Sequence, residues 1–98
     1  MSKELTFKEK MEKHFKILEQ YVPIVARVHG EHHPEFFEVK SVFDAICVKV
    51  NDDTDLTEEF KTLRAITDNY KVPGDVCETY ATVYQLLSEM DEEYHKAK

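Results

Sequence analysis

Apolar residues recur every three or four positions along almost the whole chain, which predicts four helices joined by short turns. In the first, Thr6 with Glu9 forms a capping box, and Met11, Phe15, Leu18, Val22, Val25 and Val28 or His29 make the apolar seam. Pro23 falls inside this stretch, removes a backbone donor and clashes with the preceding turn, so a kink or short break is expected near Tyr21-Val22. Gly30 is expected to supply a left-handed C-terminal cap. The second helix starts at Pro34, a residue suited to the first helical position, with Glu35 and Glu38 near the positive end of the helix dipole. Phe36, Val39, Phe43, Ile46 and Val50 form its seam, and Asn51-Asp52-Asp53 ends it.

A third helix opens at Thr54 or Asp55 and buries Leu56, Phe60, Leu63, Ile66 or Thr67, and Tyr70. After the turn Lys71-Val72-Pro73-Gly74, Asp75 caps the fourth, and Glu78 completes a second capping box. Its stripe is Val76, Tyr80, Val83, Leu87, Met90 and Tyr94. No segment alternates strictly and the chain holds two glycines, which speaks against β structure. Four amphipathic segments with short connections read as an all-α, up-down-up-down four-helix bundle, one domain over residues 1–98.

With 98 residues the chain can build one helical core and no second domain. A formal net charge of −7 speaks against nucleic acid and anionic membranes, since both demand a basic face. No apolar run approaches the ~20 residues that span a bilayer. Met1-Ser2-Lys3-Glu4-Leu5 lacks the apolar core of a signal peptide, so a cytoplasmic protein is expected. Cys47 and Cys77 fall in no Cys-x-x-Cys or zinc-ribbon spacing and read as reduced thiols.

The junction Val25-Ala26-Arg27-Val28-His29-Gly30-Glu31-His32-His33-Pro34-Glu35 gathers three of the five histidines. It resembles the Arg-Val-His-Gly-Glu-x-His-Pro-Glu segment of the RIC family, di-iron proteins that repair iron–sulfur clusters after nitrosative and oxidative stress. The stretch from Leu63-Arg64 through Thr67, Tyr70, Pro73, Asp75 and Cys77 to Thr79 resembles a second segment of the same family, which links the last two helices of its hemerythrin-like domain. The resemblance covers most of the chain and implies a hemerythrin-like fold. It also places an iron-ligand role on His29.

A hemerythrin-like di-iron centre needs about five imidazoles and two bridging carboxylates, two of the helices contributing His-x-x-x-Glu. That spacing occurs nowhere in this chain. By register with the family, the first-helix histidine falls at about Lys8, the histidine opening the third helix at about Asp53, and the last at about Ala97. The second helix's His-x-x-x-Glu lies in the region here shortened to Val50-Asn51-Asp52-Asp53. His29 and Asp53 are therefore the candidate metal residues. His14 is fifteen residues from His29, roughly 22 Å along a helix, and cannot share an ion with it. Glu92-x-x-His95 has the spacing of one ferritin-type ligand pair, but that site needs two pairs and two further glutamates.

No glycine-rich phosphate loop or Gly-x-Ser-x-Gly elbow is present, and neither cysteine has a histidine beside it in sequence. The expected function is therefore a non-enzymatic, partner-binding relative of the repair proteins, with no cofactor. The alternative is an iron-binding protein whose partial site is completed in a homodimer by two copies of His29 and Asp53.

Overall fold

Residues 6–52 and 54–96 are described by the computed structural model, and every regular element among them is helical. They form α1 (Phe7–Lys10), α2 (Glu12–His29), α3 (Glu35–Asn51), α4 (Thr57–Thr67) and α5 (Glu78–Lys96). Helix α2 packs on α3 and α5, α4 packs on α3, and α1 folds back on α2 and α3. The molecule measures 49 × 22 × 21 Å, its length consistent with helices lying along one axis. Among the described residues no helix is long and apolar enough to cross a membrane.

The core follows the apolar seams. Leu18, Val22, Val25, Phe36, Val39, Phe43, Ile46, Leu56, Phe60, Leu63, Tyr80, Val83, Leu87 and Met90 are all buried. The sequence pattern missed Tyr84, which lies one turn beyond Tyr80 and stacks on Phe36 with ring centroids 6.3 Å apart. At the end of the first seam it is His29 that turns inward, while Val28 faces solvent.

Several expected boundaries are corrected. The first segment is two helices, because Met11 leaves the helical region (φ −103°, ψ 17°) after one turn; the Thr6–Glu9 capping box is present on that turn. Helix α2 runs unbroken through Pro23. The ring lies on the exposed face, and Val22, Val25 and Ala26 around it are buried, so core packing outweighs one lost donor. Gly30 is right-handed (φ −57°, ψ −29°), not left-handed, and its N–H continues the helical pattern to the Ala26 carbonyl at 3.0 Å.

Pro34 stands just before α3 as expected of a helix start. Helix α4 begins later than expected, at Thr57, where the Asp55 carboxylate accepts from the Thr57 N–H (3.0 Å) and hydroxyl (2.6 Å). Helix α5 begins at Glu78 and not at Asp75, whose carboxylate is drawn away to His33. Between α4 and α5, three consecutive residues are left-handed: Asp68 (φ 54°), Asn69 (φ 61°) and Tyr70 (φ 64°).

Candidate functional site

The C-terminus of α2, the His-rich turn and the N-terminus of α5 meet at one end of the bundle. Tyr80, in the first turn of α5 and fully buried, is the centre of that meeting. The rings of His29 and His33 both stand edge-on to it, at 5.4 and 5.5 Å between centroids. Its hydroxyl shares a hydrogen bond with Tyr84 (3.1 Å). Burial raises the phenol's pKa, and the Tyr84 hydrogen bond and the Glu35 charge push the same way. Tyr84 is raised too, by burial and by Glu35.

Two histidines of this junction have attachments of their own, while His32 is exposed. His29 Nε2 lies 3.1 Å from Cys77 Sγ, which fastens the end of α2 to the residue before α5. His33 bridges Glu35 through Nδ1 (3.0 Å) and Asp75 through Nε2 (3.1 Å). The turn between α2 and α3 is therefore latched to the loop that leads into α5. These partners are 48 and 42 residues apart in sequence, and no local spacing announces them.

His14 and His95 serve other places. His14 pairs with Glu89 at 2.7 Å, joining α2 to α5. His95 binds Asp91 through Nδ1, to Oδ1 at 2.8 Å and the carbonyl at 2.9 Å. Asp91 is buried, and Arg64 Nη1 donates to both its oxygens (2.7 and 2.8 Å) while the Tyr70 hydroxyl donates at 2.7 Å. Burial and this bond to Asp91 raise the Tyr70 pKa. Sequence reasoning passed over this network, although Asp91 and His95 stand at the i,i+4 spacing that makes helical neighbours.

The donor set of the described residues does not fit an intramolecular di-iron centre. No group of three or more His, Cys, Asp and Glu side chains that could hold one ion occurs among the described residues. His29 faces a thiol and a tyrosine ring. Lys8, at the register position of a family histidine, donates to Asn51 Oδ1. Asp53 and Ala97 lie outside the described residues.

The chain is similar to the iron-sulfur cluster repair protein ScdA of Staphylococcus haemolyticus (strain JCSC1435), 24% identical over 125 residues. The match takes in 92% of this chain and 56% of that protein, so the chain spans about half the length of its relative. A match 125 residues long exceeds the 98 of this chain, which means that the relative carries segments this chain lacks. No protein-family model matches, and no solved structure matches.

Proposed function

We propose that this chain is a shortened, ligand-depleted relative of the RIC iron–sulfur cluster repair proteins. In this reading it is a cytoplasmic, hemerythrin-like bundle of up-down-up-down topology. It works by binding a protein partner and not by iron chemistry of its own. The sequence likeness to a repair protein extends over nearly the whole chain, which supports the family relationship and, through it, a place in iron–sulfur maintenance under nitrosative or oxidative stress. The observation that carries the non-catalytic part is the environment of His29. The residue matching a family ligand is bonded to Cys77 and packed on buried Tyr80, where a di-iron site needs further imidazoles and carboxylates.

The test is a reactivation assay on a [4Fe–4S] enzyme damaged by nitric oxide, supplied with ferrous iron and thiol. Addition of this chain alone is expected to leave the recovery rate at the iron-and-thiol baseline. Catalytic acceleration by the isolated chain contradicts the reading.

One observation favours the alternative of an iron site shared between two copies. The His29–Cys77 pair is solvent-accessible, so a nitrogen and a sulfur donor stand 3.1 Å apart where a second copy could reach them. In that case ferrous iron drives dimerisation measurable by sedimentation, and Cys77→Ser and His29→Ala abolish it.

A further inference from the structure

The outer face of α2 carries large apolar side chains that the fold does not cover. Ile17 (37% exposed), Ile24 (42%) and Val28 (58%) are open to solvent, and Tyr21 between them is half-buried. The spacing 17, 21, 24, 28 is 4-3-4, the a/d pattern of a helix that lays its seam against another helix. From Ile17 to Val28 the stripe runs about 16 Å at ~1.5 Å per residue. The bundle's own interior uses a different face, that of Phe15, Leu18, Val22, Val25 and Ala26.

Along one edge of the stripe, Lys13, Gln20 and Arg27 repeat every seven residues, all exposed. Lys13 and Arg27 form no ion pair with another described residue, whereas nearby Lys16 is paired to Glu12. This edge belongs to the one basic part of an acidic chain. Residues 1–30 hold six Lys and Arg against four Asp and Glu, while residues 31–98 hold seven against sixteen.

We propose that the α2 face is a docking surface for an acidic amphipathic helix of another protein. Its apolar residues would lie on Ile17, Tyr21, Ile24 and Val28, and its carboxylates against Lys13 and Arg27. The charges argue against a second copy of this chain as the occupant. Antiparallel self-pairing centred on Gln20 sets Lys13 against the copy's Arg27, cation against cation. Parallel self-pairing turns the basic edge toward the positions of Leu18 and Val25, which are buried in the core and offer no counter-charge. Apolar burial then supplies the affinity and the charged edge supplies the choice of partner.

The inference deepens the partner-binding reading and rests on it, but its test involves no iron and no repair assay, so either can fail alone. Two 21-residue helical peptides with leucine at the a and d positions serve as probes, one flanked by glutamate and one by lysine. Fluorescence anisotropy with the full chain is expected to show binding of the glutamate peptide and not of the lysine peptide. Ile24→Asp should weaken that binding about tenfold or more with circular dichroism unchanged, and the K13E/R27E double variant should reverse the peptide preference. Equal binding of both peptides, or indifference to Ile24→Asp, overturns the proposal. So does a dimer of the free chain that Ile24→Asp dissociates, or attachment to anionic vesicles in place of the peptide.

Discussion

A β-carbon at position 30 would lie 2.3 Å from both the Ala26 carbonyl oxygen and the Phe37 ring. Glycine is required there by close approach and not, as the sequence suggested, by a left-handed backbone. Gly30→Ala is therefore expected to destabilise the chain by about 1–3 kcal/mol through overpacking. Phe37→Ala should recover part of the loss, because it empties half of the crowded space. Urea denaturation of the two single variants and the double variant measures this. Equal losses with and without Phe37 would put the strain in the backbone alone. At this scale the sequence identified the residue and missed the reason, since Phe37 reaches Gly30 across a turn whose path no local pattern fixes. The same holds for His29: the seam left Val28 and His29 open as its last member, and the partners Cys77 and Tyr80 that draw His29 inward come from the far end of the chain.

The elements were legible wherever an apolar stripe runs for three turns or more, as in α2, α3 and α5. The failures lie at their ends and at Pro23 inside α2. Asp75 has the look of an N-cap, yet His33 takes its carboxylate. Pro23 has the look of a break, yet buried residues on either side keep α2 whole. Tertiary contacts outweigh local preference in both cases. The α4–α5 connection is held the same way. Its left-handed residues 68–70 carry no glycine, and the Arg64–Asp91–Tyr70 network ties the loop to α5. Asp68→Gly should stabilise by up to about 1 kcal/mol, since glycine meets no steric penalty at a positive φ. Asp91→Ala should cost about 2–3 kcal/mol, less than a fully buried pair because Arg64 is a third exposed. A cost under ~1 kcal/mol, the level of an ordinary surface pair, would show that the network adds nothing to stability.

For the whole molecule, several acids are held protonated by burial. Cys47 is pushed up to about 11 from 9.0 by burial, with Glu19 and Asp44 adding to it. Tyr70, Tyr80 and Tyr84 are raised above 10.0. Between the unfolded and folded pKa values the unfolded chain has lost a proton that the fold retains, so stability falls as pH rises. It should be unaffected by these groups below pH 9.0 and decline progressively above it, from Cys47 first and then from the tyrosines. Thermal melts across that range check this. Tyrosinate absorbance from these three residues should appear only with unfolding.

Buried apolar seams run through α2, α3, α4 and α5, so the helical architecture is expected to form without metal. Whether iron nonetheless belongs to the protein is settled by anaerobic titration of the intact chain with ferrous iron. Total iron is measured after desalting, and the visible absorbance of an oxo-bridged pair is read on exposure to air. Wild type, His29→Ala and Asp53→Ala are expected to behave alike, with no stoichiometric iron and no chromophore. Two irons per chain, lost in His29→Ala, would contradict the proposed reading, in which His29 serves contacts to Cys77 and Tyr80 and no iron.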